Sequence, residues 1–148
     1  MKGDKCNMNI PSYLSIGTVK GFNKEKKEWV YGWHWTKVPY TCFDEGQKIK
    51  HYVRVQRNLD WNLTEQIDYE VETDSVSQYI GKKDINGIPL FLGDKIKFYF
   101  GNEFHYGRIQ FDINTLSYIV IWDNLNRTEL KYINNIEFID ARYNSEDK

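Results

Sequence analysis

Apolar and polar residues alternate along most of this chain, and no segment sustains the 3.6-residue recurrence of an amphipathic helix. A period of two is the mark of a strand with one buried face. The first such strand is expected over 13–22, with Leu14, Ile16 and Val19, and the charged stretch 23–28 then makes a solvated hairpin tip. Trp29, Tyr31, Trp33 and Trp35 follow on a single parity. A row of large rings on one strand face belongs either to a core or to an interaction surface. Core is the expectation here, with an interface between two chains left open.

Pro39 and the turn at Asp44-Glu45-Gly46 lead to 49–56, which sets Lys50, Tyr52, Arg54 and Gln56 against Ile49, His51, Val53 and Val55. In 66–72, Ile67, Tyr69 and Val71 point inward and acidic residues outward. The acidic strand follows the basic one, so the two are expected to pair and neutralise each other across the ladder. Further on, 95–100 separates Ile96, Phe98 and Phe100 from Lys95, Lys97 and Tyr99. Gly101-Asn102 turns the chain into 104–112, where Gly107 suggests a bulge. Strands at 116–122, 129–133 and 136–141 complete the run, with turn chemistry at 112–114 and 123–126. Residues 1–10 and the tail at 144–148 read as poorly ordered. The fold class is mainly β: an N-terminal aromatic-rich β-sheet unit, 1–80, followed by a small SH3-like β-barrel, 81–148.

The hinge of this organisation is 75–96, SVSQYIGKKDINGIPLFLGDKI. Gly81, Asp84, Asn86, Gly87, Gly93 and Asp94 supply its turns, and Asn86-Gly87 is a strong signal for positive φ at both positions. Together with Trp29-Val30-Tyr31-Gly32, this stretch resembles the signature of the YopX family of phage and prophage proteins. Ser77, Ile80 and Leu92 depart from that pattern, which has Gly, Thr and Glu there, and 36–70 is unmatched. The resemblance implies an accessory protein of a temperate phage, β-rich with an SH3-like C-terminal part. It brings no catalytic or ligand-binding residues with it.

Composition narrows function mainly by exclusion. With 20 Lys+Arg against 21 Asp+Glu in 148 residues, no global field draws the chain to nucleic acid or an anionic membrane. Cys6 and Cys42 are too few for a disulfide scaffold and are expected as reduced thiols. No apolar run approaches the roughly 20 residues of a membrane span, and no signal peptide opens the chain, so the expected place is the cytoplasm of the bacterial host cell. His34, His51 and His105 lack metal-ligand spacing, and Asp84, Asp94 and Asp112 lack cation-loop spacing. Gly81-Lys82-Lys83 lacks the rest of a phosphate loop. No metal, cofactor or catalytic group is therefore expected, and the chain reads as a non-enzyme.

What remains is binding. Aromatic residues make up 16% of the chain, which favours a protein-interaction module acting on a host or phage factor through Trp33, Trp35, Tyr99, Tyr106 and Trp122. The first alternative is nucleic-acid binding by Lys50, Tyr52, Arg54, Lys95 and Lys97. The second is sequestration of a nucleotide-like small ligand between subunits of a homo-oligomer. Contact with a membrane is not expected.

Overall fold

The computed structural model describes Leu14 and residues 17–38, 49–123 and 125–143. The expectations for Ile16, Cys6, Cys42, Pro39, the 44–46 turn and both termini concern residues outside these. The described residues are mainly β and hold no α-helix, so none is long and apolar enough to cross a membrane. They divide into two compact units, 1–76 and 77–148, a few residues ahead of the expected break at 80.

The first unit contains β1 (Val19–Asn23), β2 (Glu28–Lys37), β3 (Lys50–Asn58) and β4 (Thr64–Val71), arranged β4-β3-β2-β1 with antiparallel neighbours. Its packed cluster is valine-rich: Val30, Val53 and Val71 are buried, with Val19, Val55, Tyr69 and Val76 against them. β-Branched side chains suit this pleated surface because their single preferred χ1 costs little there. The cluster lies on the parity opposite to the aromatic row, and the expected core placement holds for only part of that row. Along that row Tyr31 is buried and Trp29 and Trp35 are half-buried, whereas Trp33 is 53% exposed. A short 3-10 turn at Thr73–Ser75 ends the unit. There the buried Ser75 Oγ accepts the Phe22 N–H at 2.8 Å and donates to the Glu72 carbonyl at 2.6 Å, clasping the unit's last turn to its first strand.

The second unit begins with β5 (Ser77–Lys83) and β6 (Pro89–Phe91), an antiparallel pair. Then follow β7 (Lys95–Phe100), β8 (Glu103–Asp112), β9 (Ser117–Trp122), β10 (Asn126–Glu129) and β11 (Asn134–Asp140). A 3-10 turn at Leu130–Tyr132 occupies most of the expected strand at 129–133. The sheet order is β10-β9-β8-β7-β11. β10 and β11 end this sheet without pairing to each other, so the expected SH3-like barrel is not closed. Leu90, Ile96, Phe98, Ile109, Val120, Leu130, Ile133 and Ile136 form the core, as the alternation in 95–100 requires.

Gly107 is not a bulge. It pairs in register with Ile96 on one side and Trp122 on the other. A Cβ there would lie 2.6 Å from the Ile121 carbonyl oxygen, so close backbone approach explains the glycine. The register shifts lie instead between β7 and β11 and between β5 and β6.

Gly81 is not a turn residue as expected: it lies inside β5 with φ of 84°, where the β5–β6 register shifts. The turn residues of 84–94 have concrete partners. Asp84 is buried; its Oδ1 accepts the N–H groups of Asn86 and Ile88, both at 2.8 Å. Its Oδ2 accepts the Phe138 N–H on β11 at 2.9 Å. This Asx capture keeps Asn86 out of the left-handed region, and of the Asn86-Gly87 pair only Gly87 takes positive φ, at 82°. Asp94 is fully buried and accepts the Phe91 N–H at 2.8 Å, while the backbone of Gly93 and Asp94 bonds to Ile109 on β8.

Candidate functional site

Pairing of β7 with β8 sets Lys97 beside Tyr106, Tyr99 beside Phe104 and Lys95 beside Arg108. These six belong to the parity opposite to Ile96, Phe98 and Ile109, so they share the outer face of the sheet. Phe104 is 54% and Tyr106 52% exposed. The Lys97 ammonium lies 4.7 Å from the Phe104 ring centroid, and that of Lys95 lies 5.8 Å from the Tyr106 ring. Tyr99 meets Phe104 edge-on at 5.2 Å. Among the described residues Arg108 is held by one bond, Nη1 to the Gly93 carbonyl at 3.0 Å, and no other of its donors is engaged there.

The cations of this face have carboxylates across the ladder. Glu137 and Asp140 stand opposite Lys97 and Lys95 in the β11–β7 register, yet Lys95, Lys97 and Arg108 enter no ion pair among the described residues. Beside them a surface groove of about 360 Å³ is lined by Lys95, Tyr106, Arg108, Gln110, Ile121 and Asp123, together with Gly107 and Trp122.

The other basic strand behaves differently. Arg54 forms a two-pronged pair with Asp68 at 2.8 and 3.2 Å, Lys50 lies 3.7 Å from Glu70, and Arg57 pairs with Glu65. The hydrogen bond from Arg54 is the main cause holding the Asp68 carboxyl below the usual carboxylate range, with a further bond from Trp35 Nε1 at 3.2 Å. Tyr52 stacks on Trp35 at 4.5 Å. Cross-strand neutralisation, expected from the sequence, has occurred, and Lys50, Tyr52 and Arg54 do not present a free cationic face.

Five proposed protein contacts thus separate into three places. Tyr99 and Tyr106 join Lys95 and Lys97 on the outer face of β7 and β8. Trp33 and Trp35 lie on β2 in the first unit. Trp122 lies on the inner face of β9, against Phe98, Phe100 and His105, with Nε1 donating to Thr128 at 3.0 Å; it is half-buried and packs against the core.

Phe104, Arg108 and Gln110 were missed as candidates. Their signal was the parity of 104–112, where they alternate with Gly107 and Ile109. The hairpin tip between β3 and β4 was also missed. Leu59, Trp61 and Leu63 are all exposed there, Trp61 at 92%. The Leu59 N–H donates to the Leu63 carbonyl at 2.7 Å, closing a turn in which Trp61 and Asn62 have φ of 66° and 62°. A bulky residue in this left-handed region is uncommon.

On the valine face, His34 Nε2 and His51 Nδ1 lie 2.8 Å apart, within hydrogen-bond distance. Partial burial, and then the His51 charge, lowers the His34 pKa. Among the described residues, no three His, Cys, Asp or Glu side chains converge as metal ligands. No family model matches the chain, and neither the curated proteins nor the solved structures contain a match to it.

Proposed function

We propose that this protein is a non-enzymatic binding protein that holds single-stranded nucleic acid on the outer face of β7 and β8. The setting is the one implied by the YopX resemblance, a phage or prophage accessory role. One observation carries the reading: Lys95, Lys97 and Arg108, in no ion pair among the described residues, are interleaved with the exposed rings of Phe104 and Tyr106 on a single sheet face. A sheet that offers rings for stacking and cations for phosphates suits single strands of any sequence, because every base has a π-face. This order reverses the one that composition suggested. A near-zero net charge says nothing about how charge is distributed, and here Lys50, Arg54 and Arg57 are spent on internal pairs while, among the described residues, Lys95, Lys97 and Arg108 are not.

The test is fluorescence anisotropy of a short labelled oligothymidylate, titrated with the intact chain at increasing salt. Three phosphate contacts on a single strand give a slope of about −2 for log affinity against log salt. Replacing Lys95 and Lys97 by Gln should flatten the slope and weaken binding. Absence of binding at low salt defeats the reading.

A second reading, a protein partner, is favoured by the Leu59–Trp61–Leu63 tip, where an exposed ring is held in a backbone conformation that tryptophan does not prefer. Exposed aromatic anchors are typical centres of protein interfaces. If the oligonucleotide fails to bind, and Trp61→Ser abolishes a stoichiometric host-protein interaction made by the wild type, this reading replaces the first.

A further inference from the structure

We infer that the groove around Arg108 is the subsite for one nucleotide unit, with the base on Tyr106 and the phosphate between Lys95 and Arg108. The inference rests on the binding reading above and deepens it. Lys95, Arg108 and Ile121 form one continuous cross-strand row, because Arg108 is in register with Lys95 on β7 and with Ile121 on β9. Tyr106 lies two residues before Arg108 and Gln110 two residues after, so all three project from the same face of β8. The groove therefore has a cationic middle, an aromatic ring on one side, an amide on the other and an apolar wall at Ile121. A volume near 360 Å³ is of the size that holds a small ligand.

The chemistry of each position fixes the orientation. A guanidinium already anchored to the Gly93 carbonyl is pre-aimed, so little rotamer freedom is lost when its remaining N–H groups take a phosphate oxygen. Tyr106, half exposed and flanked by the Lys95 ammonium, offers a face on which a base can stack. Asp123 lines the groove as well, and its carboxylate repels a phosphate. The phosphate is thus directed to Lys95 and Arg108 and away from Asp123, and the Gln110 amide, with a donor and an acceptor, is left to meet a base edge. The chemistry recognised is a nucleoside monophosphate, and its source is either a unit of a strand or a free nucleotide.

The experiment is a ¹⁵N-resolved NMR titration of the full chain with adenosine 5′-monophosphate, adenosine, inorganic phosphate and a short oligoadenylate. The monophosphate should shift the amides of Tyr106, Arg108, Gln110 and Ile121, and bind more tightly than adenosine or phosphate alone. Tyr106→Ala should weaken the oligonucleotide roughly 5- to 100-fold, the usual loss for one stacked base. Asp123→Asn should tighten it. Tyr106 is half exposed, so its removal leaves the core intact. If the oligonucleotide binds and neither Tyr106→Ala nor Arg108→Gln weakens it, the subsite is wrong while the broader reading stands. If the monophosphate binds in the groove and the strand does not, the subsite is supported with a free nucleotide as its source, and the strand reading falls. Binding of neither overturns both.

Discussion

Replacing Asp84 is the sharpest test of how the second unit is held together. Its carboxylate is buried and accepts three backbone N–H groups, from Asn86, Ile88 and Phe138. Hydrogen bonds to a charged acceptor contribute about 1.5–3 kcal/mol each, and losing them leaves buried donors without partners. Because the three share one acceptor group, their losses do not simply add, and Asp84→Ala is expected to cost about 3–5 kcal/mol. Asp84→Asn is more discriminating. Its amide oxygen can keep the two bonds within the turn, but its NH2 then faces the Phe138 N–H, donor against donor. That variant should lose about 2 kcal/mol and do so at β11, not at the turn. Urea denaturation followed by amide hydrogen exchange measures both effects, and Trp122, the one tryptophan in 77–148, gives a fluorescence signal for this unit. In Asp84→Asn the Phe138 amide should lose protection while those of Asn86 and Ile88 keep theirs. Equal costs for Ala and Asn, or an unchanged Phe138 amide, would refute the three-bond account.

Three further outcomes follow from the first unit. Trp61→Gly should raise stability by about 0.5–1 kcal/mol, since it relieves a left-handed residue that buries almost nothing; a fall in the denaturation midpoint would mean the ring has contacts the backbone argument ignores. The lowered His34 pKa means the folded state binds fewer protons than the unfolded one, so its stabilising contribution is present above the unfolded value of 6.5 and fades as pH falls below it. Exchange of β2–β3 amides, corrected for intrinsic rates, should accelerate below that pH, and His51→Gln should reduce the effect. Finally, replacing Asp68 and Glu70 by Asn and Gln should free Arg54 and Lys50 and create weak, salt-sensitive oligonucleotide binding on the first unit; no gain would show that those cations are not suppressed by their partners.

Much of this fold was legible because a two-residue period and turn chemistry are local. The inward set Ile96 and Phe98, the Gly101-Asn102 hairpin with both residues at positive φ, and the Asp112 Asx turn all came from neighbours in sequence. So did the pairing of Arg54 and Lys50 with Asp68 and Glu70, since the strands are consecutive. Which face of a strand is buried was harder. Alternation on β2 defines two faces, Trp29–Trp35 and Val30–His34, and the larger rings drew the core assignment although the packed cluster is built on Val30. Barrel closure depended on whether β10 and β11 meet, a long-range question. The outer face of β7 and β8 needed the register of Lys95 against Arg108, so residues first sorted into separate protein-binding and nucleic-acid sets proved to be neighbours.

The two side-chain clasps have a kinetic consequence. Ser75 reaches back 53 positions to Phe22, and Asp84 reaches forward 54 to Phe138. Each ties the opening of a unit to its close, so neither can form while the chain between is still being made. During synthesis the first clasp can lock once the 73–75 turn has left the ribosome, whereas the 84–88 turn must wait for β11 before its carboxylate is fully engaged. Loop closure over such separations is slow, and until then Asp84 is a hydrated carboxylate in an exposed turn. The nascent protein should therefore mature in two steps, in the order in which its units are translated.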